Sequence, residues 1–163
     1  MLVLRLTQKL ADRLRVRLPS DAAPAASPCA DWCCHGFTAD RCRYLMVTNA
    51  STFFPVVLRA NGMGDESAFI NGVTAGLREY LQQAGHEFAF AQLIASESAT
   101  VVFRRVGDRR ILGVMNEFIF MAKHYLEDLS PIETSDRLNE CPVSPLRGKF
   151  PRDLFPPEAN PTG

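Results

Sequence analysis

Four arginines flank the start of a predicted long helix. Arg104 and Arg105 precede Asp108, and Arg109 and Arg110 follow it. Cations at a helix N-terminus oppose the helix macrodipole. A docked phosphate or carboxylate would relieve that opposition, because free backbone N–H groups and guanidinium groups both bind such anions. The alternative is that Arg109 or Arg110 pairs with Asp108 or with acidic residues of another helix, and we favour this pairing.

Polar residues at two other places could extend such a site. Asn116 and Glu117 follow Met115 on the same predicted helix, and Asn49 and Thr52 lie in a polar stretch further upstream. A half-buried Asn116 beside Asn49 and Thr52 would form a small hydrogen-bonding pocket. In an enzyme that held a phosphorylated ligand at Arg109 and Arg110, Glu117 would be the acid or base. We favour a structural polar cluster over a ligand site, since buried polar groups normally hydrogen bond to one another.

Four cysteines and one histidine lie close together in sequence: Cys29, Cys33, Cys34, His35 and Cys42. Thiolates and imidazole are preferred zinc ligands. The pattern C-x3-C-C-H-x6-C, however, lacks the paired C-x2-C halves of structural zinc sites. Cys34 could be a nucleophile activated by His35, but neighbouring residues on a strand point to opposite faces. We therefore predict buried free thiols, with no metal, no cofactor and no catalytic residue among them.

Two long helices are predicted to position these residues. The first covers residues 65–84, has apolar residues at intervals of three and four, and ends at Gly85. The second begins after Asp108, has an apolar face over residues 111–129, and stops at Ser130 and Pro131.

Gly72 and Gly76 lie inside the first of these helices. Each glycine costs about 1 kcal/mol relative to alanine in a helix interior. The pair indicates either simple tolerance or the close approach of another backbone.

Short apolar segments predict four or five strands, the first of which is followed by a short helix capped by Thr7. The strand segments are 2–6, 36–38, 44–48, 52–58 and 100–104. The middle three form an antiparallel meander, with Asp40 and Arg41 in its first turn. Strands that come as a group predict an α+β fold. We expect a mainly antiparallel sheet with the helices packed on one face.

The distribution of prolines predicts the domain boundaries. Only one of the eleven prolines, Pro55, lies between Trp32 and Leu129. Residues 1–148 are therefore predicted to form a single domain. Residues 19–31, rich in alanine and proline, are predicted to be a flexible insert, and residues 149–163 a disordered tail.

The chain has 18 basic and 18 acidic residues, so its formal net charge is zero. This balance disfavours nucleic acid as the partner. No apolar stretch reaches the roughly 20 residues of a membrane span, and Arg5 and Lys9 interrupt the apolar start. We therefore expect a cytoplasmic protein without membrane attachment. The charge is uneven, since residues 1–18 hold five basic residues and one acidic residue.

Five segments carry a family resemblance: residues 2–10 (LVLRLTQKL), 40–43 (DRCR) in the strand pair, 48–56 (TNASTFFPV), 108–118 (DRRILGVMNEF) and 138–142 (LNECP). Together they resemble a bacterial family, domain of unknown function 6933. The resemblance covers most of residues 1–148 and implies the same domain outline. It implies no activity and no catalytic residues.

These observations predict a small interaction or regulatory module without catalytic activity, whose partner is another protein or an anionic ligand. The sequence contains no recognisable set of catalytic residues, and it does not decide whether the protein is an enzyme. The alternative is a binding protein or enzyme for a phosphorylated ligand, held at the arginine-rich start of the helix near residues 108–128. Its candidate ligand residues are Arg104, Arg109, Arg110, Asn49, Thr52, Asn116 and Glu117.

Overall fold

The computed structural model describes residues 1–19, 25 and 27–157. In these residues the strands are β1 (Leu2–Leu6), β2 (Asp31–Ala39), β3 (Cys42–Asn49), β4 (Pro55–Arg59) and β5 (Val101–Arg105). The helices are α1 (Gln8–Leu14), α2 (Glu66–Gln83), α3 (Glu87–Ala89), α4 (Arg109–Tyr125), α5 (Pro131–Asn139) and α6 (Pro151–Leu154). A π-helical turn over Phe90–Ile94 and a 3-10 turn over Ala95–Glu97 follow α3. None of the described helices is both long enough and apolar enough to cross a membrane.

The five strands form one sheet in the order β4-β3-β2-β1-β5. The predicted meander is present, since β2 pairs with β3 and β3 with β4, both antiparallel. Asp40 and Arg41 join β2 to β3 with positive φ angles of 48° and 64°, as a type I′ turn requires.

The sheet is mixed, so the prediction of a mainly antiparallel sheet is wrong. β1 lies between β2 and β5 and runs parallel to both. Parallel neighbours need a crossover connection, and the chain between β1 and β2 contains α1. The pairing of β1 with β5 joins residues about a hundred positions apart, which a local pattern does not reveal.

Helices cover both faces of the sheet rather than one. Side chains alternate along a strand, and Leu4 and Trp32 pack in one core with α1 and α2. Cys33 and Met46 point to the opposite face and pack in a second core with α4. Strands that are apolar on both faces need cover on both.

The predicted long helices are confirmed, together with their caps. Asp65 accepts a hydrogen bond from Ala68 N at 2.8 Å at the start of α2, and Gly85 follows the helix with a φ of +85°. Asp108 caps α4 by accepting from Arg110 N at 2.8 Å. Thr7 caps α1 as expected.

Gly72 and Gly76 accommodate side chains from outside α2. A Cβ atom on Gly72 would lie 2.4 Å from Met63 Cε, and one on Gly76 would lie 2.5 Å from Leu58 Cδ2. The two glycines therefore let β4 and the following loop pack closely on α2. The approaching groups are side chains, not the second backbone that the spacing suggested.

Residues 149–157 pack on the core, contrary to the disorder predicted for this part of the tail. α6 is followed by Phe155, which is 4% exposed. Its ring centroid lies 4.5 Å from that of Phe54 and 5.7 Å from that of Trp32. Residues 158–163 lie outside the described part of the chain.

The last residues of the predicted insert are also ordered. Pro28–Ala30 form a 3-10 turn in which Cys29 and Ala30 are buried, and Asp31 begins β2. Asp31 accepts two hydrogen bonds from the buried Arg5 guanidinium, at 2.8 and 3.0 Å. The rest of the predicted flexible insert includes residues 20–24 and 26, which lie outside the described residues.

α5 covers the outer edge of β4. Val57 N–H donates to Ser135 Oγ at 2.8 Å, and Asn139 Nδ2 donates to Pro55 O at 2.9 Å. The two side chains, one helical turn apart, take the place of a neighbouring strand. The helix begins at Pro131, and Ser130 caps it by accepting a hydrogen bond from Glu133 N.

Candidate functional site

β1 ends earlier than β2, and a cavity lies beyond its end. The last paired residues are Leu6 and Cys34, after which Thr7 N donates to Cys34 O at 3.2 Å. β2 continues to Ala39, and in the described residues only β3 pairs with this extension. The cavity beside it, called here the edge cavity, measures about 440 Å³. It is lined by Thr7, Lys9, Leu10, Arg13, His35, Gly36, Phe37, Thr38, Asn116, Ile119 and Lys123.

The hairpin register determines which backbone groups face the edge cavity. Ala39 and Cys42 flank a two-residue turn and are paired, so the odd-numbered residues of β2 bond to β3. Gly36 and Thr38 therefore direct their N–H and C=O groups to the other side of β2. In the described residues no protein group bonds to either N–H or to Thr38 C=O.

Two helices enclose the edge cavity from opposite faces of the sheet. α1 lies over Gly36, where a Cβ atom would be 3.8 Å from Leu10 Cδ1 and 3.9 Å from Arg13 Nη1. α4 contributes Asn116, Ile119 and Lys123 from the other face. The edge cavity therefore lies between the two helices, beyond the point where β1 ends.

Three cations converge on the edge cavity. Lys9 and Arg13 lie four residues apart on α1, and Lys123 comes from the second half of α4. Among the described residues the lining includes no acidic side chain, and none of the three cations forms an ion pair. Burial, followed by the nearby charge of Arg43, lowers the pKa of Arg13. The electrostatic potential of the cavity therefore favours an anion.

His35 is the titratable group at the centre of the lining. Its Nδ1 donates to Gly36 O at 2.9 Å, which leaves Nε2 without a proton in the neutral ring. Burial lowers the pKa of His35, and Lys9 acts in the same direction, while the hydrogen bonds to Gly36 and Asn116 oppose the shift. An anion beside the ring would raise that pKa and add a fourth positive charge.

A protein-family model matches most of the chain. The model of the family described as Domain of unknown function (DUF6933) matches residues 3–154. The protein belongs to the DUF6933 family. No curated protein and no solved structure matches the chain. The family model spans both α1 and α4 of the DUF6933 protein, and therefore both walls of the edge cavity.

The predicted arginine cluster of this DUF6933 protein is spread over a strand end and a helix start. Arg104 lies on β5 in register with Arg5, and its Nη1 donates to Phe103 O at 3.2 Å. Arg110 pairs with Asp108 at 3.2 Å, so the favoured pairing exists for this residue. Arg109 is exposed at the first position of α4. An anion site at this turn stays a prediction.

Asn49 and Thr52 form a buried turn between β3 and β4. Asn49 Oδ1 accepts from Thr52 N and from Thr52 Oγ1, both at 3.0 Å. Asn49 Nδ2 donates to Pro28 O at 3.0 Å. The Asn49 side chain is therefore fully used in holding the turn, and Asn116, which the predicted polar cluster included, takes no part in it.

Asn116 and Glu117 are both exposed on α4. Asn116 interacts with His35 in the edge cavity rather than with the turn at Asn49. Among the seven candidate ligand residues, it is the one that lines this cavity. The predicted ligand residues do not include Lys9, Arg13 and Lys123, although the excess of basic residues in 1–18 is visible in the sequence. For Lys9 and Arg13 the available signal was two basic residues at a spacing of four, with no acidic residue four positions away from either.

The cysteines are spread over both faces of the sheet. Cys33 packs in the core under α4, Cys34 packs in the opposite core, and Cys42 is exposed at the hairpin. The described residues contain no group of three or more potential ligands placed to hold a metal ion. Burial raises the pKa of Cys29 to about 11 and that of Cys33 well above its ordinary value. These thiols are protonated at neutral pH and poorly suited to nucleophilic attack.

Proposed function

We propose that this protein is an interaction module whose ligand places an anionic group, a carboxylate or a phosphate, in the edge cavity. The observation that carries the proposal is the convergence of Lys9, Arg13 and Lys123 with the outward N–H groups of Gly36 and Thr38. Guanidinium, ammonium and backbone N–H groups are the donors that anions prefer in proteins. The proposal assigns no catalytic role.

The position of the cavity also supports the proposal. Ligands of open sheets that contain parallel strands commonly bind outside the carboxyl ends of those strands. The edge cavity lies at the carboxyl end of β1, which is parallel to both neighbours. α1 and α4 approach this end from opposite faces, so they provide walls on both sides.

Calorimetric titration with inorganic phosphate at low ionic strength tests the proposal. We expect the Lys9→Ala/Arg13→Ala double variant to bind phosphate about a hundredfold more weakly, since each charge-assisted contact contributes about tenfold. The matched double variant Arg109→Ala/Arg110→Ala removes two cations from the arginine turn at the start of α4. It should bind phosphate with nearly the wild-type affinity.

Three results would overturn the proposal. The first is the absence of phosphate binding to the wild-type protein. The second is unchanged affinity in the Lys9/Arg13 variant. The third is a selective loss in the Arg109/Arg110 variant, which would place the anion at the start of α4 instead.

A further inference from the structure

We infer that the anionic ligand is an acidic peptide segment in an extended conformation, which adds to the free edge of β2 as a short strand. The inference rests on the proposed function, because it names the ligand of the same cavity. It differs from binding of a small anion in requiring backbone pairing as well as charge.

The shape of the edge cavity fits a strand. The cavity continues the line of β1, between α1 on one face of the sheet and α4 on the other. The free edge of β2 runs from Gly36 to Ala39, about 13 Å at the usual rise of roughly 3.3 Å per residue. A segment of about four residues would therefore fill it.

The hydrogen-bonding groups along this edge fit a peptide better than a small anion. Thr38 presents both a donor and an acceptor, whereas a carboxylate can only accept. Gly36 presents its N–H, while its C=O already accepts from His35. A peptide strand would satisfy all three available groups, and its alternate residues would bond to Gly36 and Thr38 as in a regular ladder.

The charges on both sides of the edge select an acidic segment. Side chains of an added strand point alternately to the two faces of the sheet. One set would meet Lys9 and Arg13 of α1, and the other would meet Lys123 of α4. Acidic residues are thus favoured on both faces. At the opposite side of the sheet, α5 already occupies the outer edge of β4.

Fluorescence anisotropy with labelled hexapeptides tests the inference. The probe has the sequence Val-Glu-Glu-Glu-Glu-Val, so its Glu side chains point to both faces of the sheet when it adds as a strand. The control peptide has the same sequence with every residue N-methylated, so its charge is kept while the N–H groups on both of its edges are lost. We expect the wild-type protein to bind the probe at least about tenfold more tightly than the N-methylated peptide.

The variant Thr38→Pro removes an outward N–H without touching the bonds from β2 to β3. It should weaken binding of the probe by about tenfold, while Thr38→Ala, which keeps the N–H, should bind normally. Equal affinity for the two peptides would overturn strand addition even if Thr38→Pro fails to fold. If the protein binds phosphate but does not prefer the probe to the N-methylated peptide, strand addition is wrong and the proposed function stands. If it binds neither phosphate nor peptide, the proposed function and strand addition are both wrong.

Discussion

Phe155 provides a quantitative test of the packed C-terminal segment. Its ring contacts three aromatic neighbours, with centroid distances of 4.5 Å to Phe54, 5.1 Å to His86 and 5.7 Å to Trp32. Replacement of a buried phenylalanine by alanine costs about 3–5 kcal/mol. Each aromatic pair contributes about 0.5–1.5 kcal/mol beyond the area it buries. We therefore expect Phe155→Ala to lower the free energy of unfolding by about 4 kcal/mol.

Urea denaturation followed by circular dichroism measures this loss. With an m-value of about 2 kcal/mol/M, the midpoint should fall by about 2 M. A second measurement is independent of global stability. Burial lowers the pKa of His86, which packs edge-on against Phe155. Opening this contact should raise the pKa of His86, as measured by NMR titration of the folded variant.

The control is the same substitution at an exposed phenylalanine. Phe88 is 76% exposed, so Phe88→Ala should change the free energy of unfolding by no more than about 0.5 kcal/mol. If Phe155→Ala behaves like Phe88→Ala in both measurements, the segment after residue 150 does not pack on the core. The disordered tail expected from the prolines would then be correct.

Two further perturbations test the packing of α2 and the titration of His35. Gly76→Ala should destabilise the fold by about 1–3 kcal/mol, because the new Cβ atom would lie 2.5 Å from Leu58 Cδ2. Gly113→Ala, whose Cβ atom would have no neighbour within 4 Å, should stabilise the fold by up to about 1 kcal/mol. Thermal melts in which both variants shift the melting temperature in the same direction would contradict this reasoning. Burial lowers the pKa of His35 below its ordinary 6.5, so the unfolded state binds more protons and stability falls on acidification through that pH. His35→Gln should make urea midpoints between pH 7 and 5 less pH-dependent, and an unchanged slope would refute the assignment.

The helices could be predicted because their signals are local. Asp65 and Gly85 bracket α2, and Asp108 begins α4, each through contacts within four residues along the chain. Capping residues and apolar spacing report such contacts directly. The hairpin turn at Asp40 and Arg41 was accessible for the same reason.

The sheet could be predicted only in part because half of its pairing is non-local. The meander joins consecutive segments, whereas β1 pairs with β5 across most of the chain. The residues of Leu2–Leu6 do not indicate which strands this segment pairs with. The burial of both of its faces, together with the α1 crossover, is compatible with a parallel central strand, but the prediction treated it as an isolated first strand.

The edge cavity could not be predicted because it arises from a difference in strand length. β1 stops at Leu6 while β2 continues to Ala39, and only their register reveals the gap. The charged residues around it come from segments more than a hundred positions apart, Lys9 and Lys123. Asn116 was selected for a pocket with Asn49, but its true neighbour His35 was assigned to the cysteine cluster.

The way α5 meets β4 restricts how the sequence can change. Ser135 and Asn139 reach Val57 and Pro55 only because they share one face of the helix. A single residue inserted between them would rotate one relative to the other by about 100°. Both β4 contacts could not then be made together. We therefore expect no insertions or deletions between Ser135 and Asn139, even where the loop before Pro131 tolerates them.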